Sequence, residues 1–263
     1  MIAAAAQGLA LAQPPLSPRL AIGAFVLFCR IGGCLMLAPG FSSSQIPMQI
    51  RLFVALAATL ALAPLLLDKI PAAALGDDPA LTLRAIAVET LIGGMIGFLA
   101  RIFFAALETL ASASAQMLGF MNPFGVEIAS GETLAPLATL VSLAAVTLLF
   151  VADLHWELLS GLAASYDVMP VGGDFAPRLA LRQIADALDQ SFRLTLRITS
   201  PYVIYALIVN LALALVNRLT PQIQIVFVAA PFVVAGALAL LYFTARPALE
   251  TFLAGFGAWL TSG

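Results

Sequence analysis

The sequence predicts an all-α integral membrane protein. Of its 263 residues, 62% are hydrophobic and only 10% are charged, and the mean hydropathy is +1.04. A soluble domain carries about 25% charged residues, so lipid or partner protein must cover much of this surface. The apolar runs are about as long as a helix needs to cross roughly 30 Å of hydrocarbon. The alternation typical of a membrane β-barrel strand is absent from the sequence.

Seven apolar stretches are separated by turns and polar loops. They are Leu20–Ala38, Leu52–Leu67, Ala85–Gly119, Leu134–Ala152, Leu194–Val216, Ile223–Phe243 and Ala248–Leu260. Asp68–Pro79 and Tyr166–Pro177 read as loops, and Arg178–Arg193 as an amphipathic segment at an interface or on a partner. No Lys or Arg precedes Arg19, so Met1–Gln13 is interpreted as a short N-terminal helix and not as a signal peptide. No linker divides the chain, which predicts one helical membrane domain over residues 1–263.

The composition argues against several functions. The net charge of −2 and a single lysine leave no basic face for nucleic acid. There is no GxxxxGK[ST] loop for a nucleotide phosphate, and a single histidine, His155, excludes a His-rich metal site. Cys29 and Cys34 read as small core residues. We therefore predict no catalytic residue, no cofactor and no metal.

The stretch Ala85–Gly119 is too long for a simple span, because as one helix it measures roughly 50 Å. One face of this helix is small and polar at a spacing of 100° per residue. That face consists of Gly93, Gly97, Arg101, Ala105, Glu108, Ser112, Ala115 and Gly119. Small residues let helix backbones approach closely. We therefore predict helix packing or a subunit interface at Gly93, Gly97, Arg101, Glu108 and Ser112.

Six charged residues lie inside or beside the apolar stretches: Arg30, Glu89, Arg101, Glu108, Asp153 and Arg197. At a lipid-facing midplane each would cost on the order of 3 kcal/mol, and together roughly 18 kcal/mol, more than the stability of a typical domain. They must face protein, pair with each other or lie outside the hydrocarbon. Arg30, Glu89, Asp153 and Arg197 are predicted to be buried charges. Arg101 and Glu108 are expected to point at one partner surface, with no direct pair assumed.

Short motifs in a fixed order resemble one known family over about Leu20 to Leu260. They begin with Arg30-Ile31-Gly32-Gly33, Ala38-Pro39, Ile46-Pro47 with Arg51, and Ala63-Pro64, followed by Glu89-Thr90-Leu91-Ile92-Gly93 and Gln116-Met117-Leu118-Gly119-Phe120. Leu149-Phe150, Asp153-Leu154-His155, Ser165-Tyr166, Pro170, Asn217-Arg218-Leu219-Thr220-Pro221-Gln222 and Pro231 complete the series. The series resembles the FliR/SctT family, the export-gate subunits of flagellar and type III secretion systems.

The resemblance implies a subunit of an export gate in the bacterial inner membrane. It implies FliP-like and FliQ-like gate subunits and an FlhB-like switch protein as partners, and unfolded proteins as exported substrates. The fold it implies consists of long, kinked helix hairpins packed in a hetero-oligomeric helical gate. It also implies that the loop Phe120–Glu132 plugs the closed pore with apolar side chains, namely Phe120, Met121, Phe124 and Val126. Packing against neighbouring helices is the alternative role for these four residues.

Two other functions stay open from the residues alone. A secondary transporter could use Glu89, Arg101 and Glu108 for ion coupling, although the sequence shows no internal repeat of the kind common in transporters. An intramembrane hydrolase would need His155 beside a serine, but no G-x-S-x-G elbow accompanies it. Asp153 and Glu157 share one helical face, which is more typical of a helix end reaching water than of acid–base catalysis.

Overall fold

The computed structural model describes residues 18–43, 46–71, 79–118, 136–173, 175–219 and 225–262. Its helices are α1 (Pro18–Leu37), α2 (Met48–Leu66), α3 (Pro79–Met117), α4 (Pro136–Val151), α5 (Leu154–Val168), α6 (Pro177–Leu219) and α7 (Ile225–Ser262). A short 3₁₀ turn, Leu67–Lys69, follows α2. The described part of the chain contains no β-strand, and the predicted all-α class is confirmed.

Proline marks the start of four of these helices. Pro18, Pro79, Pro136 and Pro177 are the first residues of α1, α3, α4 and α6. Proline suits the first helical position, because its fixed φ is already helical and the N–H it lacks would have no partner within the helix. These prolines therefore set where the helices begin.

In the part of the chain that the structure describes, five helices are long and apolar enough to cross a membrane: α1, α2, α3, α6 and α7. α4 and α5 form a pair bent by 71°, which would be a sixth span if the pair crosses as one. α3, α6 and α7 contain 39, 43 and 38 residues. At 1.5 Å per residue each is about 57–65 Å long, roughly twice the thickness of the hydrocarbon.

Helix continuity differs from the prediction in three places. The described part of the predicted stretch Ile223–Phe243, from Ile225 on, and the stretch Ala248–Leu260 belong to one helix, α7, because Pro247 lies inside it without ending it. The amphipathic segment Arg178–Arg193 continues directly into Leu194–Val216 as α6. α5 was not among the predicted apolar stretches, and it extends into the predicted loop as far as Val168. An apolar run in the sequence indicates only the part of a helix that is suited to lipid. The helix itself continues as long as its backbone hydrogen bonds can form.

The chain divides into two compact units. The first contains the chain up to Phe98 together with Ser160–Pro177, and the second contains Leu99–Leu159 together with Arg178 onward. The boundary falls within α3 and within α5, both of which are continuous helices. The chain therefore changes unit without a linker, and a single helical domain stays a prediction.

The first unit has its core around α1, which buries Val26, Leu27 and Ile31 completely. An ion pair of 2.5 Å between Lys69 Nζ and Asp167 Oδ1 joins the turn after α2 to α5.

The second unit is built around an aromatic cluster. Phe103 and Phe104 of α3 contact Phe252, Phe256 and Trp259 of α7, with ring centroids 4.9–5.6 Å apart. Aromatic pairs at this spacing stabilise a core beyond the area they bury. Further along α7, Ala237 packs with Tyr202 and Ala206 of α6.

Candidate functional site

A buried ion pair lies at the centre of the first unit. Arg30 of α1 and Glu89 of α3 have fully buried side chains, with 0% exposure each. Arg30 Nε donates to Glu89 Oε2 at 2.6 Å, and Arg30 Nη2 donates to Oε1 at 2.8 Å. This is the bidentate geometry in which guanidinium and carboxylate bind most strongly. The pair therefore joins two helices at a point closed to water.

Two further donors of Arg30 bind α5 and the residue after it. Nη1 donates to Ser165 Oγ at 3.2 Å, and Nη2 also donates to the Met169 carbonyl at 2.8 Å. The guanidinium carbon lies 4.0 Å from the centre of the Tyr166 ring, within the range of a cation–π interaction. Arg30 thus connects α1, α3 and α5, and its charge is compensated within the unit. We call this group the Arg30 cluster: Arg30, Glu89, Ser165, Tyr166 and Met169.

The same two helices cross closely beside the Arg30 cluster. A Cβ added at Gly93 would overlap the Arg30 carbonyl oxygen, and one added at Gly97 would overlap the Cys34 carbonyl oxygen. From the other side, a Cβ added at Gly33 would come within 2.8 Å of the Thr90 carbonyl oxygen. Small residues permit this approach. The structure therefore places Gly93 and Gly97 in helix packing inside the chain, and an interface with another subunit at these two positions is not needed to account for them.

Arg101 and Glu108 contact each other in the second unit, although two helical turns separate them. Arg101 Nη2 lies 3.5 Å from Glu108 Oε2, and the two side chains are 37% and 19% exposed. Ser142 Oγ of α4 donates to Glu108 Oε1 at 2.7 Å. Sequence reasoning did not assume this pair, because it left out the reach of an extended arginine along its own helix. Ser112, on the same face, is buried.

Two of the four predicted buried charges are exposed in the chain. Asp153 lies between α4 and α5 with a positive φ of 58°, and Arg197 lies on the outer side of α6; both are exposed. Asp153 occupies the break itself, where an aspartate tolerates the left-handed conformation. Burial within the chain is therefore corrected for both residues, and coverage by a partner stays a prediction.

Sequence reasoning missed the members of the Arg30 cluster that α5 and the residue after it provide. Ser165, Tyr166 and Met169 carry no charge and stand more than 130 positions from Arg30, so no local pattern connects them. Tyr166 was assigned to a loop, whereas it lies in α5.

The predicted plug residues Phe120, Met121, Phe124 and Val126 lie outside the described residues. Among the residues that the structure does describe, no group of His, Cys, Asp or Glu is arranged to hold a metal ion.

The fold and these contacts define an all-α membrane protein whose inner polar groups join helices. The chain matches the family "Bacterial export proteins, family 1" over residues 21–258, and it belongs to that family. It is 34% identical to the flagellar biosynthetic protein FliR of Caulobacter vibrioides, over 83% of this chain and 86% of that protein. It is 31% identical to FliR of Aquifex aeolicus, over 81% of each chain. To FliR of Escherichia coli it is 27% identical, over 81% of this chain and 80% of that protein.

Proposed function

We propose that this chain is a structural and gating subunit of the export gate of a flagellar-type protein secretion apparatus in the bacterial inner membrane. Membership of the bacterial export family and similarity to the FliR proteins support a place in the flagellar export apparatus. In the proposed role the chain lines and closes the channel through which unfolded proteins leave the cytoplasm. No step of this role requires a catalytic residue.

One observation supports the proposal that this chain assembles with other subunits. α6 is about twice as long as the hydrocarbon is thick, and it exposes both charged and large apolar side chains: Leu181 is 67% exposed, and Arg182 beside it is exposed as well. Lipid tails would cover Leu181 and not Arg182, whereas water would solvate Arg182 and not Leu181. A protein partner can satisfy both, since interfaces combine an apolar centre with a polar rim. We therefore place this chain among other helical subunits, the FliP-like and FliQ-like gate proteins, with an FlhB-like switch protein bound to the gate.

The gating part concerns the sequence segment Phe120–Glu132, which follows α3 in the chain. In the proposal, Phe120, Met121, Phe124 and Val126 seal the closed channel, because apolar side chains at a constriction exclude water and ions. The flexible thioether of Met121 also suits a seal that must fit around a passing chain.

The assembly test is co-purification. An affinity-tagged chain, extracted in mild detergent from cells that make the whole apparatus, should bring the other gate subunits with it in fixed ratio. A small-solute transporter would purify alone or as a homo-oligomer. The structure does not favour that alternative, since Glu89 is paired with Arg30 and Glu108 with Arg101 and Ser142. Recovery of the chain alone from several detergents would contradict the proposal.

A further inference from the structure

The exposed face of α6 changes character at one position along the helix. Up to Arg197 that face is charged, and from Ile198 to Val216 the helix contains no charged residue. The uncharged part is about 28 Å long, close to the hydrocarbon thickness of roughly 30 Å. The uncharged part of α6 therefore has the length and composition of a membrane span.

α7 changes character at the same level. No charge occurs from Ile225 to Ala245, and then the exposed ion pair Arg246–Glu250 follows. Two contacts align α7 with α6: the hydroxyls of Tyr202 and Thr244 lie 2.5 Å apart, and Leu194 packs against Gly255, where an added Cβ would come within 2.7 Å of Leu194 Cδ2. Arg197 lies between the two contact points on α6, and Arg246 and Glu250 lie between them on α7. Charges begin at one depth on both helices, and the charge-free residues of α7 after Glu250 include the buried Phe252 and Phe256 of the aromatic cluster. We therefore place the edge of the hydrocarbon at this depth, with residues 178–197 beyond it.

The part of α6 beyond this edge carries six charged residues on one side. At 100° per residue they fall within about 100° of arc, opposite the buried residues Ala180, Ala187 and Ser191. In chain order they are Arg178, Arg182, Asp186, Asp189, Arg193 and Arg197, and all are exposed. The charge order is therefore positive at both ends and negative in the middle.

An apolar row runs beside these charges. Leu181, Ala185, Leu188 and Phe192 follow each other at intervals of four, three and four residues, and all four are exposed. Leu181, Leu188 and Phe192 are 67%, 52% and 51% exposed. An apolar row at this spacing with charges along its edge is the pattern by which one helix docks on another. We call it the α6 seam. Outside the hydrocarbon, lipid tails cannot cover the seam.

We infer that the α6 seam is the docking surface for one helix of a different subunit, with acidic residues flanking the two ends of the contact and basic residues flanking its middle. A second copy of this chain fits poorly. In the antiparallel in-register pairing the charged edges of two α6 helices meet and set arginine against arginine and aspartate against aspartate, and like charges across an interface are strongly unfavourable. In the parallel pairing the two charged edges lie on opposite sides of the pair, so neither edge meets an opposite charge. The identification of the partner as a subunit of the export apparatus rests on the proposed function.

The test uses the full chain in cells that make the whole apparatus. A photoreactive phenylalanine analogue in place of Leu188 should give, on illumination, an adduct with one other apparatus protein. Arg182→Glu and Arg193→Glu should each reduce that adduct, together by about tenfold or more, as expected when charge pairs at an interface are reversed. Arg218→Glu, an exposed arginine at the other end of α6, is the matched control and should leave the adduct unchanged. Reversing the opposing acidic residue of the partner to arginine should restore the adduct with Arg182→Glu.

If the Arg182→Glu variant does not accumulate in the membrane, the Arg182→Gln variant is used for the same measurement. It should give a smaller decrease in the adduct. An adduct with a second copy, with lipid alone or with nothing would overturn the inference, as would an adduct that does not respond to the charge at Arg182. Co-purification of the gate subunits separates this failure from failure of the proposed function. If those subunits co-purify and the Leu188 adduct is absent, the seam is wrong and the export-gate role stands.

Discussion

Arg30 is a fully buried charge that joins α1 to α3 and α5. Its cost in a lipid environment already indicates that it must be paired or face protein. The identity of its partners depends on the crossing of α1, α3 and α5, and three of them are a serine, a tyrosine and a backbone carbonyl without a charge to mark them. The sequence therefore predicts that Arg30 needs a partner, and only the fold shows which residues are its partners.

We expect Arg30→Leu to destabilise the chain strongly, because Glu89 would then be buried without a partner. Breaking a buried pair in this way costs on the order of 3–5 kcal/mol. Arg30→Lys should be intermediate, since an ammonium cannot make the bidentate contact. The melting midpoint of the purified protein in detergent measures the effect.

Two controls sharpen this prediction. Arg246→Leu also removes an arginine from an ion pair, but that pair is exposed on α7 and within one helix, so its melting midpoint should change little. The double variant Arg30→Met with Glu89→Met should be less harmful than either single change, because no unpaired charge remains. Equal shifts for Arg30→Leu and Arg246→Leu would show that the Arg30 cluster does not hold the first unit together.

Helices α3 and α7 show which features of an element follow from composition. α3 was predicted as one unbroken helix longer than a membrane span, and it extends even further, to 39 residues. In place of α7 the sequence predicted two apolar stretches, Ile223–Phe243 and Ala248–Leu260, with Arg246 and Pro247 between them. Proline inside a membrane helix is tolerated when nearby side chains and helices satisfy the freed backbone groups, so the helix continues. The length of a helix follows from hydrogen bonding along its backbone. The hydropathy of its residues indicates only whether lipid, protein or water surrounds it.

The crossing of α1 and α3 gives a prediction for a matched pair of glycines. Gly97→Ala should lower the melting midpoint, because the new Cβ would overlap the Cys34 carbonyl oxygen, which is backbone and cannot rotate away. Gly94→Ala should leave it unchanged or raise it, because its new Cβ would meet only Leu37 Cδ1 at 3.7 Å, and alanine favours a helix by about 1 kcal/mol over glycine. Both variants are measured in the same detergent. Shifts of the same sign and size would mean that the crossing is looser than described.

At the scale of the whole molecule, α6 and α7 combine an uncharged part of membrane-span length with a continuation that carries exposed charges. The composition of the chain predicted that lipid or protein must cover its surface, and the Arg101 helix was expected to provide the partner contact. A partner contact of the Arg101 helix stays a prediction, and the structure shows an exposed mixture of charged and apolar side chains on α6. A periodic charge pattern on a 43-residue helix could be read from the sequence, but the depth at which it leaves the hydrocarbon needs the alignment of α6 with α7.

The proposed closing role of residues 120–132 can be tested by measuring the permeability of the assembled gate. A seal acts on the closed state, so deleting Met121–Val126 should leave assembly intact and raise the leakage of ions or small solutes, with slower growth as a consequence. Phe120→Ala and Phe124→Ala should give a weaker form of the same leak, because each removes part of the apolar constriction. The measurement is conductance or solute uptake in cells that make the whole complex.

Removing six residues from the sequence segment 72–78, between α2 and α3, is the control for shortening a loop, and it should not raise permeability. If the Met121–Val126 deletion co-purifies with the gate subunits and permeability is unchanged, these residues pack against neighbouring helices and the seal lies elsewhere.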